Sequence, residues 1–157
     1  MSKPREKGHY LLVASTSESI DGKKIPAEEM ARRRFEVGLW GLNANTPHKS
    51  EIKAGDDLIV YLAGIRGQAF VAIATAGNVY FNAVNYSADG DALSSPPAAV
   101  LELTDIRHFK RNVNIHEVKD RLGFIPKGTI KWGCVLQRGL KRLSQEDASL
   151  ILQEGGL

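Results

Sequence analysis

Two apolar runs constrain this chain more than anything else in it. Leu58 to Ala63 and Phe70 to Ala74 are short and nearly uninterrupted, and only Gly64-Ile65-Arg66-Gly67 and two further residues stand between them. Runs of this length bounded by glycine-containing turns read as buried strands. So short a link makes a hairpin, because a parallel pair would need a crossover of a dozen residues or more. Strand, turn and strand built mostly from small apolar residues suit the wall of a tightly curved barrel. The expected class is therefore α+β: a curved, mostly antiparallel β-barrel with flanking helices, in which residues 58–62 and 70–75 are adjacent strands. A parallel sheet with alternating helices would contradict this.

Upstream, Trp40 stands between Gly38 and Gly41, followed by Asn43-Ala44-Asn45-Thr46-Pro47-His48-Lys49 and then by Ile52-Lys53-Ala54-Gly55-Asp56. The glycines permit positive φ or close backbone approach. Two readings are open. Trp40 is a core residue beside an ordinary loop, as large aromatics commonly are, or its indole faces a cavity and serves as a platform for a planar ligand whose edge the loop reads.

Tyr10 to Ala14 reads as another buried strand, and Ser15-Thr16 opens a polar turn at its end. Residues 1–8 read as a flexible basic tail and 9–154 as one domain. A helix is expected from Pro26 to about Phe35, since proline suits a first turn and Glu28 and Glu29 suit the positive end of the helix dipole. Arg32, Arg33 and Arg34 fall at its other end, either to compensate the dipole or to contact phosphate. Residues 77–97 read as a long loop carrying Tyr80, Phe81 and Tyr86. A strand follows over 98–109, then a basic cluster of Arg107, His108, Lys110 and Arg111. Asn114 and Glu117 pair as a capping box for a helix over 115–122. Thr129 to Gln137 reads as a strand carrying Trp132, a core or rim residue. Ser144 caps a last helix that ends near Gln153.

The 157 residues suffice for one domain with a full core. Net charge is +3, from 21 basic and 18 acidic side chains, which permits a phosphate-facing patch without requiring one. Cys134 is the sole cysteine, so no intrachain disulfide forms, and its setting is that of a buried strand thiol. His9, His48, His108 and His116 lack partners at metal-ligand spacing, and no phosphate loop, nucleophile elbow or paired histidine motif occurs. The expectation is no metal, no cofactor and no catalytic motif. No apolar stretch is long enough to span a membrane, and the cytoplasm is the expected location.

Tyr10-Leu11-Leu12, Trp40-Gly41, Pro47-His48-Lys49, Ile52 to Asp56, Leu58 to Tyr61, Phe70 to Ala74, Trp132 and Leu140 to Asp147 together resemble an EVE domain, of the PUA-like superfamily and related to the YTH readers of methylated adenine. The resemblance spans residues 9–152. It implies a PUA-like fold and a non-catalytic module that recognises a modified base, methylated or hydroxymethylated, flipped out of DNA into an aromatic pocket. The expected base-binding set is Trp40, Gly41, Leu42, Asn43, Asn45, Ser15 and Thr16, with part of the indole open to solvent. The expected phosphate contacts are Arg32, Arg33, Arg34, Lys49, Arg107 and Lys110. Implied partners are modified DNA or RNA, with a nuclease module or restriction subunit beside it and no membrane. RNA binding in the manner of PUA domains, or a small hydrolase like the ASCH domains, are the alternatives.

Overall fold

A computed structural model of the protein describes residues 7–18, 22–42, 51–63, 68–81, 99–125 and 140–157. The strands are β1 (His9–Ala14), β2 (Ser17–Glu18), β3 (Lys24–Ile25), β4 (Leu39–Leu42), β5 (Asp57–Leu62), β6 (Ala69–Phe81), β7 (Ala99–Asn114) and β8 (Leu140–Leu143). The helices are α1 (Ala27–Val37), α2 (Ile115–Val118) and α3 (Gln145–Glu154), with a 3-10 turn over Lys119–Arg121 after α2.

Six strands form one sheet in the order β4-β7-β6-β5-β1-β8, and β2 pairs with β3 alone. Every neighbouring pair of the large sheet is antiparallel except β1 and β5. The expected adjacency of 58–62 and 70–75 is the β5–β6 pair, with Leu58 opposite Ala74 and Ile59 opposite Ile73. Residues 64–67, the expected hairpin turn, lie outside the described residues, as do 126–139 with Trp132 and Cys134. Register shifts at Val60/Tyr61 and at three places along β6–β7 curl the sheet, since each extra residue bends and twists its strand. Asp105, in β7 at one of these shifts, takes φ 46°, a left-handed conformation that aspartate tolerates better than most side chains. This curled sheet with flanking helices is an α+β fold of the PUA-like, curved-barrel kind.

Strand alternation splits the core in two. Tyr10, Leu12, Leu58, Val60, Leu101 and Trp40 point to one face with Ala27 and Ala31 of α1. Leu11, Val13, Ile59, Tyr61, Phe70 and Phe109 point to the other, under Ile115 and Val118 of α2 and Ala148 and Ile151 of α3. Burial on both faces is why β1 and β5 read as continuous apolar runs and not as alternating ones.

The Gly-Asp turn is structural. Gly55 takes φ 97°, and the Asp56 carboxylate, 1% exposed, accepts from the backbone N–H groups of Gly8 (3.0 Å) and Lys53 (2.9 Å). Gly8, expected in the tail, is buried by this contact, and Lys7 reaches Asp57 at 3.2 Å. Other boundaries shift modestly. Pro26 sits just before the helix in extended conformation, and α1 runs two residues past Phe35 to Gly38, the left-handed C-cap. Strand β6 continues to Phe81, so residues 77–81 of the expected loop are strand, and residues 82–98 lie outside the described set. Strand β7 runs on to Asn114 and takes in the whole basic cluster. Asn114 does cap α2, but it accepts from the N–H of His116 (2.8 Å), and the α-helix gives way to a 3-10 turn after Val118. Ser144 caps α3 as expected, accepting from the N–H of Asp147.

Candidate functional site

The α1–β4 junction decides where Trp40 goes. Gly38 closes α1 with φ 72° while its N–H donates to the Arg34 carbonyl (2.8 Å), and its own carbonyl accepts from Leu103 of β7 (2.8 Å). A side chain at Gly38 would be strained in this conformation. The chain thus turns directly from helix into β4, and Trp40 pairs with Leu101, Gly41 with Val100 and Leu42 with Ala99. Alternation sends Trp40 and Leu42 inward, at 1% and 2% exposure.

The expectation that part of the indole is open to solvent is therefore overturned. Trp40 belongs to the α1-side core, with the Phe35 ring 6.3 Å away and tilted by 47°. The Arg34 guanidinium lies over the indole, 4.4 Å from the ring centroid, an arrangement in which the cation meets the electron-rich face. Phe35 in turn meets His108 of β7 edge-on, with centroids 5.3 Å apart and planes at 87°. The result is a row of three rings, Trp40, Phe35 and His108, joining helix to sheet.

Beside Phe35 and His108 lies a cavity of about 300 Å³, lined by Glu28, Ala31, Arg32 and Phe35 of α1 and by Leu62, Val71, His108 and Asn112 of the sheet. Its lining is half apolar, from Ala31, Phe35, Leu62 and Val71, and half polar, from the exposed Glu28, Arg32, His108 and Asn112. Of the residues expected at a ligand, only Arg32 lines it. Ser15 and Thr16 are exposed at the end of β1, which has three strands between it and β4 in the sheet order. Asn43, Asn45 and Lys49 lie outside the described residues.

The arginines of α1 divide by partner. Arg32 donates to Glu29 and to Glu36 (2.9 Å), and Arg33 Nε donates to Glu29 (3.0 Å). These are the one-turn spacings at which helix side chains meet. Hydrogen bonds from Arg32 and then Arg33 hold the Glu29 carboxyl down at about 2, and Glu29 in turn raises the Arg32 pKa. Arg32 is thus engaged by carboxylates of its own helix, which favours the structural reading over a phosphate contact. In the β7 cluster, Arg107 lies 3.6 Å from Asp105 with both side chains exposed, a pairing worth little in water. Arg111 donates to the Glu154 carbonyl at the end of α3 (2.7 Å), a favourable place for a cation. Lys110 is exposed, with its stem against Gly156.

The sequence marks Phe35 only as the end of the helix and His108 only as a member of the basic cluster, and neither as lining a cavity. The signal for Phe35 was present: Ala27, Ala31 and Phe35 recur every four residues and mark the inward face of α1. His108 carried none, because its position depends on the register shifts of β7.

Among the described residues no cluster of three or more His, Cys, Asp or Glu is placed to hold a metal, and no helix is long and apolar enough to cross a membrane.

A curled sheet with one parallel pair, a helix on one face and a C-terminal helix on the other defines the class, a PUA-like α+β fold. Among solved structures, human THYN1 in complex with DNA containing 5-methylcytosine is similar, with a TM-score of 0.66 and 14% identity over 96% of this chain and 99% of that one. The YTH domain of Zygosaccharomyces rouxii MRB1, in complex with N6-methyladenosine RNA, matches with a TM-score of 0.58 and 11% identity over 99% and 90%. The N-terminal domain of Staphylothermus marinus McrB matches with a TM-score of 0.57 and 13% identity over 96% and 99%. No family model matches the sequence, and comparison with curated proteins returned no match. The fold is accordingly the one that the EVE and YTH resemblance implied.

Proposed function

We propose that this protein is a non-catalytic nucleic-acid-binding module that recognises a modified base, methylated or hydroxymethylated, unstacked from DNA. The carrying observation is the planar guanidinium of Arg34 lying 4.4 Å above the Trp40 indole. The indole face is a stacking platform covered by a side chain that a base could replace. Stacking a base on an aromatic ring is worth about 1–3 kcal/mol, comparable to or above the roughly 0.5–2 kcal/mol of a cation–π contact. The stacked base thus gains about as much at the indole as the cation–π contact it replaces. Similarity in fold to the THYN1 and YTH structures, each bound to a nucleic acid carrying a methylated base, supports the same reading.

In this reading Trp40 is the floor once Arg34 moves, and Gly41, Asn43 and Asn45, which follow it in the chain, supply edge contacts; Ser15 and Thr16, with three strands between them and β4, and the buried Leu42 take no part. Arg33, Lys49, Arg107 and Lys110 supply charge toward the backbone, which helps offset the cost of unstacking the base. The protein works as a standalone reader or beside a nuclease module of a restriction system, in the cytoplasm. RNA is the second reading, favoured by the YTH structure's RNA ligand.

The test is a binding panel of matched DNA and RNA oligonucleotides, with and without base methylation, at one salt concentration. Preference for one modified strand is expected; equal affinity across the panel would end the reading. Arg34→Ala should tighten binding of the modified strand by roughly 2- to 30-fold if the guanidinium covers the platform. Weaker binding with a flatter salt dependence would make Arg34 a phosphate contact instead.

A further inference from the structure

We infer that the cavity between α1 and strands β5 to β7 is a second binding site, which takes an uncharged planar heterocycle bearing an amino group. This rests on the nucleic-acid reading, in which the occupant is the unpaired base next to the recognised one. The volume of about 300 Å³ lies at the small end of the range for ligand sites, enough for one ring system and not for a large molecule. Phe35 offers an aromatic wall held in place from two sides, by Trp40 at 6.3 Å and by His108 edge-on at 5.3 Å. Leu62, Val71 and Ala31, all buried, complete its apolar base, and the mouth is open to solvent.

The polar groups choose the ligand's chemistry. Glu28 brings a carboxylate, an acceptor of N–H groups, and Asn112 brings an amide that both donates and accepts. Arg32 is the lining cation, and its guanidinium already answers Glu29 and Glu36. A phosphate would therefore meet the Glu28 carboxylate without a dedicated cation, whereas an exocyclic amine would satisfy it. Cytosine and adenine present such amines on their edges and thymine does not. The two sites are one ring apart, since Phe35 touches both Trp40 and the cavity. Consecutive bases of one strand can then occupy both, provided the strand is locally unpaired.

The experiment measures anisotropy of short single-stranded oligonucleotides carrying one modified base, intact or with an abasic position on either flank. In the wild-type protein, removing the base on one flank should weaken binding by about 5- to 150-fold, as loss of a stacked base does. In Phe35→Leu that penalty should largely vanish, and in Glu28→Gln the preference for cytosine or adenine over thymine at the flank should fall. His108→Ala and Asn112→Ala, both at exposed positions, repeat the test should Phe35→Leu fail to fold. A flank penalty unchanged in all four variants, with discrimination of the modified base intact, overturns the second site and leaves the reader standing. No discrimination of the modified base by the wild type overturns both.

Discussion

The two faces of the sheet are filled differently. On the α3 side the core is Leu11, Ile59, Tyr61, Phe70, Phe109, Ile115, Leu122 and Ile151, with Ala148 as its small residue. Packing there is tight enough that a Cβ on Gly155 would come within 2.5 Å of the Phe109 ring. On the α1 side, Ala14, Ala27, Ala31, Ala69, Ala72, Ala74, Ala76 and Ala99 are interspersed with Trp40, Tyr10 and a set of leucines that includes Leu12, Leu58 and Leu101. Alanine-lined strands let a helix approach but leave the space beside it unfilled, and the cavity opens on this side. One face is spent on stability. The other keeps room, and its aromatic row lies beside that room.

The sharpest test of this contrast is truncation on each side. Trp40→Ala should cost about 3–5 kcal/mol and Ile151→Ala about 2–5, read from denaturant midpoints. Trp40 is therefore expected to be a stability residue whatever it binds, and a loss below about 1 kcal/mol would return the indole to the surface. Overpacking gives the next largest effect. Ala148→Leu should destabilise by about 1–3 kcal/mol, whereas Ala31→Leu, pointing into open space, should cost less than about 1. Equal losses would mean that the α1 face is as full as the other.

The smallest effect concerns the α1 surface and pH. Glu29 titrates near 2 in the folded protein, below its ordinary value of 4.5. A depressed carboxylate contributes stability above the unfolded pKa and loses it as pH falls through the folded one. The contribution should fade between about pH 4.5 and pH 2, and Glu29→Gln should abolish that part of the pH dependence. A Glu29 carboxyl midpoint near 4.5 by NMR would show that the arginines do not hold it.

Hairpin and caps were legible from sequence because their causes are local. The β5–β6 pair follows from two apolar runs a few residues apart, and Ser144 from its place before Glu146 and Asp147. The partners of Arg32 were legible too, since Glu29 and Glu36 stand one helical turn away on either side. Trp40 was not. Whether its indole meets solvent or core depends on Arg34 and Phe35 folding back from the helix before it, and on a β7 partner some sixty residues later. Nor was the cavity, which needs Leu62, Val71 and His108 from three strands at once. The parallel contact of β1 with β5 also escaped, since the intervening residues hold a helix and three further strands.

The position of β1 has a consequence for how the chain reaches this state. It lies between β5 and β8, so that His9 pairs with both Asp57 and Leu143. Its second partner is separated from it by nearly the whole chain. Closing so large a loop has an entropic cost that must be met before the pairing rewards it, and chains rich in such contacts fold slowly. During synthesis the first strand emerges long before β8 exists, with one edge waiting. Refolding should show a slow phase that disappears when β8 and α3 are removed, together with the native state itself.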